Sequence, residues 1–106
     1  GNDDELVGAV LEASNSVGES MWRLPLDPVT KRQNSSRIAD LKNTGGRGGG
    51  STTAAHFIAD FAGETPWVHI DIAATSMLDS TRGWTPAGAT GVPTRSLIEL
   101  AMTLGE

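Results

Sequence analysis

His69 and Asp71 are the residues of this chain best placed to do chemistry together. Two apart on an extended segment, they point to one face, where an imidazole and a carboxylate can share a proton or help to hold a metal. A catalytic zinc site ordinarily takes three protein ligands, and the other histidine, His56, falls in a different element. The plainer reading is a buried pair satisfied by hydrogen bonds. Asp71 would then need a partner such as Arg47 or Arg95, because an isolated buried carboxylate is very costly. His56 interrupts an amphipathic pattern and is expected to be partly exposed.

Two further stretches could bind a ligand. Gly45-Gly46-Arg47-Gly48-Gly49-Gly50-Ser51 runs into a helix start, where unpaired N–H groups and the helix dipole can receive an anion or a ligand oxygen. It lacks the Gly-Lys-Ser/Thr ending of a phosphate-binding P-loop, and a tightly turned or flexible connector is the simpler account. Ala73-Ala74-Thr75-Ser76-Met77 leaves the carboxyl end of an apolar run, the place where open α/β sheets bind ligands. Its small residues leave room, and Met77 offers an adaptable apolar wall. An ordinary loop closing the core fits the same spacing. Trp22 and Trp67 read as core anchors. Trp84, in a glycine- and proline-containing loop, could also serve a partner surface. No nucleophile elbow, Ser/His/Asp order or closely spaced acidic cluster is present.

The elements that would position these residues follow from periodicity. Leu6, Val10, Ala13 and Val17 share one helical face, with Asn2 and Glu5 spaced as a capping box and Gly18 as a stop. Trp22–Leu26 is extended, and Pro25 restricts it to a sheet edge. Asp27-Pro28 is an N-cap followed by proline at the first helical position, for a short helix through Gln33. Ile38–Leu41 reads as a short strand. A helix from Ser51 to Gly63 would bury Ala54, Phe57, Ile58 and Phe61. Trp67–Ala73, apolar on both faces, reads as a strand covered on both sides. Ser76–Gly91 is loop, and Pro93 opens a last helix with Leu97, Leu100, Ala101 and Leu104 inside. This order suits α/β layering, yet one central strand cannot make a sheet, so neighbouring strands are expected from outside the chain.

The 106 residues suit one small domain or a piece of a larger one. Five of the 13 glycines sit between Gly45 and Gly50. Without cysteine there are no disulfides or thiolate metal sites, in keeping with a reducing compartment. A net charge of −5 with scattered basic residues gives no footprint for nucleic acid. No apolar run is long enough for a bilayer, and the acidic start does not look like a signal peptide.

Six segments in register are similar to the end of the leucyl aminopeptidase family. They are Gly1-Asn2-Asp3-Asp4-Glu5-Leu6, Met21-Trp22-Arg23-Leu24-Pro25-Leu26, Ala39-Asp40-Leu41-Lys42-Asn43, Gly50-Ser51-Thr52-Thr53-Ala54-Ala55, Trp67-Val68-His69-Ile70-Asp71-Ile72-Ala73 and Gly88-Ala89-Thr90-Gly91-Val92-Pro93-Thr94. The resemblance covers essentially residues 1–106 and implies the C-terminal part of a catalytic domain. That part would belong to a helix–sheet–helix sandwich with a mixed central sheet, incomplete without upstream strands. The family removes N-terminal amino acids, leucine-like ones among them, from peptides. It uses two divalent ions, zinc or manganese, that polarise the scissile carbonyl and activate a bridging water. Members are cytoplasmic homohexamers with active sites facing an inner cavity. The resemblance also implies that the metal ligands, the catalytic lysine and the bicarbonate-binding arginine lie before Gly1, in segments that include an Asn-Thr-Asp-Ala-Glu-Gly-Arg motif. No residue here then receives a catalytic or metal-binding role.

Substrate contacts do carry over. Thr44 matches a position lining the pocket for the residue after the scissile bond. Ala73 matches a wall of the pocket for the N-terminal side chain, and Ser76 or Met77 matches its floor. Ala74 stands where the family usually has glycine, which could narrow that pocket. Two hypotheses follow: part of a working metalloaminopeptidase, inactive when isolated, or a stand-alone binding or structural module derived from one.

Overall fold

The computed structural model describes Gly1–Gly105 and divides into two units. The first comprises Gly1–Leu6 and Arg23–His69; the second comprises Val7–Trp22 and the residues from Ile70 onward. Helix α1, Asp4–Ser16, begins in the first and continues in the second.

The start of α1 is fixed by Asp3, whose Oδ1 accepts from the Leu6 amide at 2.7 Å. The expected cap from Asn2 is corrected. Its side chain instead accepts from the Trp67 amide and donates to the Thr65 carbonyl, tying the chain start to residues 65–67. Val7, Val10, Ala13 and Ser14 form the buried face of α1, close to the predicted stripe. Its end is a Schellman turn: Glu19 N donates to Ser14 O, Gly18 N donates to Asn15 O, and Gly18 holds φ +72°.

In the first unit, Asp27 caps helix α2, Pro28–Lys31, by accepting from Thr30 N at 2.9 Å. Those Thr30 hydrogen bonds hold the Asp27 carboxyl below its ordinary pKa. A 3-10 turn, Arg32–Asn34, completes the element expected through Gln33. Helix α3, Gly50–Ala62, packs on both. Its buried residues are Thr53, Ala55 and His56. This corrects the expected inner face: Ala54, Ile58 and Phe61 are exposed and Phe57 only half-buried, while His56 is buried. The reason is polar. Buried Asn34 donates to the Thr53 carbonyl at 2.8 Å and Lys31 pairs with Asp60 at 2.7 Å, so contacts to α2 and the 3-10 turn choose the smaller-residue face. Phe57 and Phe61 meet each other instead, with ring centroids 5.2 Å apart.

The second unit carries the described sheet, a two-stranded antiparallel one. Strand β1, Met77–Leu78, pairs with β2, Gly88–Ala89, with Met77 opposite Ala89 and Leu78 opposite Gly88. This hairpin replaces the expected loop over Ser76–Gly91. Helix α4, Thr94–Leu104, follows Pro93 as anticipated, but its buried residue is Ser96, while Leu97, Ala101 and Leu104 are exposed and Leu100 is half-buried.

Neither Trp67–Ala73 nor Ile38–Leu41 is a strand. A strand is defined by its ladder, and no described segment pairs with either of them. Trp67–Ile70 is half-buried and Asp71–Ala74 is exposed. Trp22 and Ile38 are 88% and 98% exposed, so Trp22 is not a core anchor within this chain. The α/β character survives as four helices and one small sheet among the described residues.

Candidate functional site

The segment Ala73–Met77 is held by a dense set of short-range bonds. Asp71 Oδ1 accepts from Ala73 N at 2.8 Å. The Thr75 and Ser76 amides both donate to the Ile72 carbonyl, at 2.9 and 2.8 Å, which closes the turn. From the far side of the hairpin, Thr90 N donates to Ser76 O at 2.9 Å and Thr90 Oγ1 donates to Thr75 O at 2.7 Å. The backbone is thereby fixed while the side chains of Ala73, Ala74 and Met77 are exposed and that of Ser76 is half-buried. A pinned loop presenting small residues and one thioether can form a wall for an apolar side chain, and it has no group suited to acid–base work.

One residue that the sequence did not single out organises this unit. Glu19, its side chain 6% exposed, accepts at Oε2 from Ser96 N at 2.8 Å and Ser96 Oγ at 2.7 Å, and at Oε1 from Arg95 Nε at 3.2 Å. Pro93 gives α4 no side-chain cap, and a carboxylate remote in sequence satisfies one orphan donor of the first turn, the Ser96 amide. Burial alone would push the Glu19 carboxyl up; the bonds from Ser96 and Arg95 outweigh it and hold the group below its ordinary value of 4.5. The Gly18 turn signals where Glu19 sits, but nothing in the spacing names Ser96 as its partner.

Thr44 lies in the first unit and is exposed beside the glycine loop. That loop is tightly turned. A Cβ on Gly45 would meet Thr53 Cγ2 at 2.7 Å, Gly46 N donates to Gln33 Oε1 at 3.2 Å, and Gly49 takes the left-handed conformation at φ +72° immediately before α3. The connector reading therefore holds for its backbone. Ala73, Ser76 and Met77 belong together in the second unit.

The metal reading of His69 and Asp71 gains no third ligand. Among the described residues no group of three His, Asp or Glu side chains is placed to hold an ion. His69 is half-buried, and Asp71 is exposed, not buried as expected, and caps the turn at Ala73. Arg95 is paired with Glu19. His56 Nε2 is buried without a hydrogen-bond partner among the described residues. The described side chains do not gather a ligand set that would fit a two-ion centre. A shallow depression lined by Asn2, Asp3, Gly63, Glu64 and Pro66 includes none of the candidate residues.

A sequence model described as "Cytosol aminopeptidase family, catalytic domain" matches residues 1–98. The chain belongs to the cytosol aminopeptidase family. It is 50% identical over 101 residues to a probable cytosol aminopeptidase of Solibacter usitatus, covering 95% of this chain and 21% of that protein. It is 48% identical over 100 residues to a probable cytosol aminopeptidase of Dinoroseobacter shibae, covering 93% and 20%. Among solved structures it superposes on the bottromycin maturation enzyme BotP in complex with Mn with a TM-score of 0.92. That match is 41% identical and covers 99% of this chain and 24% of BotP. A mutant of tomato leucine aminopeptidase gives a TM-score of 0.85 at 32% identity, covering 96% and 19%. The chain thus spans about a fifth of the length of the curated relatives it matches. The leucyl aminopeptidase resemblance and its catalytic-domain placement are correct. No helix among the described residues is long and apolar enough to cross a membrane.

Proposed function

We propose that this chain is the substrate-pocket part of a metal-dependent aminopeptidase that releases leucine-like N-terminal residues from peptides. Ala73 walls the pocket for the N-terminal side chain, Ser76 or Met77 forms its floor, and Thr44 lines the pocket for the following residue. The observation that supports this reading is the turn from Asp71 to Met77, pinned by bonds within itself and from Thr90 while its small side chains remain open. Two divalent ions, zinc or manganese, would be held by residues elsewhere in the protein and supply the polarising charge for hydrolysis. This chain's own contribution is to bind and orient: a fixed apolar wall selects the side chain without taking part in proton transfer. The working protein is read as a cytoplasmic homohexamer acting on peptides, with neither nucleic acid nor membrane as partner.

The test is Ala73→Leu in the full-length protein. A filled pocket should lower kcat/KM for leucine p-nitroanilide about tenfold or more, and for glycine and alanine substrates by much less, since about one methylene in an apolar pocket is worth 10–200-fold. Equal losses on all three substrates would remove Ala73 from the pocket.

A further inference from the structure

The pocket loop sits on a hairpin too small to hold itself. Each strand has two residues, and isolated two-stranded hairpins are marginal at best in water. Beyond the β1–β2 pairing, the tip closes with a bridge between Arg82 and Thr85, whose backbones exchange two 3.0 Å bonds. Between these two lies Trp84, 79% exposed, which has no core to join. Its ring meets a cation instead: the Arg95 guanidinium carbon lies over it, 4.9 Å from the centroid.

We infer that Arg95 is a positioning residue for the substrate pocket, clamping the hairpin tip through Trp84 and so fixing Ser76 and Met77 at its base. The inference rests on the pocket reading above. Three observations carry it. Arg95 is itself held, because its Nε donates to buried Glu19. Glu19 is fixed in turn by the Schellman end of α1 and by Ser96 at the start of α4. The clamped tip and the pocket loop are ends of one hairpin, joined by the Met77–Ala89 pair and the two Thr90 bonds. A planar guanidinium suits this task. It can donate to a carboxylate and present a face to an aromatic ring at once, which an ammonium does poorly.

The experiment compares Trp84→Leu, Trp84→Phe and Arg95→Lys with the parent full-length protein, by hydrogen exchange and steady-state kinetics. An exposed cation–π contact is worth roughly a two- to fivefold change in a local equilibrium, so exchange across residues 77–89 should speed by about that factor in Trp84→Leu and Arg95→Lys. Exchange in α1 and α3 should stay unchanged. KM for leucine p-nitroanilide should rise by about the same factor with kcat unaltered, and Trp84→Phe, which keeps a ring face, should recover most of both effects. Unaltered exchange at 77–89, or acceleration spread over the whole protein, overturns the clamp. Faster local exchange with KM unchanged for leucine and alanine substrates alike overturns the pocket role of Ser76 and Met77 and leaves the clamp standing.

Discussion

The side chain that most repays attention is Glu19, a carboxylate buried at the start of a helix it does not belong to. Its folded pKa lies below the ordinary 4.5, so the ionised form stabilises the fold above that value, and the contribution fades as pH falls through the lowered folded value. Glu19→Gln should cost about 2 kcal/mol near neutrality, where charge-assisted bonds to Ser96 and Arg95 are lost or weakened. The gap between parent and variant should then narrow as the solution is acidified below 4.5 and through the lowered folded value. Denaturant titrations of the full-length protein over a pH series would read this, and a gap that did not vary with pH would mean that the carboxylate is not charged in the fold. At this scale the sequence is only partly legible. Small side chains at Ala73–Met77 leave room for a ligand whatever the surroundings, although the strand expected to lead into them does not form. The partner of a buried acid depends on which distant donor the fold brings near, and neither Ser96 nor Asn34 carries a local sign of that. Asp71 shows the reverse error: an apolar neighbourhood in sequence suggested burial, while the chain turns outward at Ala73 and leaves it exposed.

Helices and turns were read best where the signal is local. The Asp27-Pro28 start of α2 and the Gly18 stop after α1 are both set by capping chemistry within a few residues. Faces were read worse, because burial depends on what stands opposite. The stripe Ala54, Phe57, Ile58 and Phe61 is the apolar face of α3 by periodicity, yet α2 and the 3-10 turn cover the opposite side. The glycine loop ahead of α3 gives a sharp test at this scale. Gly45→Ala would place a methyl 2.7 Å from the Thr53 side chain, within a segment already closed by Asn34. Overpacking of this kind costs about 1–3 kcal/mol. Gly48→Ala, where nothing lies within 4 Å of the new Cβ, should cost much less. Thermal unfolding of the two full-length variants side by side would show the difference, and equal midpoints would mean that the approach of Gly45 to Thr53 is not a constraint.

Taken whole, the described residues bury few apolar side chains: Val7, Val10, Ala13 and Ala55 are the buried hydrophobic ones, while Trp22, Ile38, Phe61, Trp84 and Met102 are exposed. This is why the strand reading of Trp67–Ala73 failed within the described residues although its composition is strand-like; its pattern anticipates neighbours, and no described segment supplies them. The same deficit bears on activity. The 106 residues alone, given manganese and leucine p-nitroanilide, are expected to show no turnover above buffer, whereas the full-length protein should be active. Hydrolysis by the isolated piece would show that it assembles a metal centre from side chains that the present arrangement keeps apart. The remote cap on α4 has one more consequence, in time. Glu19 and Ser96 are 77 positions apart. As the ribosome delivers the chain from its amino end, Glu19 emerges as an ordinary hydrated acid and waits through most of this stretch for its hydroxyl and amide donors. The second unit can therefore lock only once translation has passed Ser96, and a nascent chain stalled before that point would keep the end of its first helix unfastened.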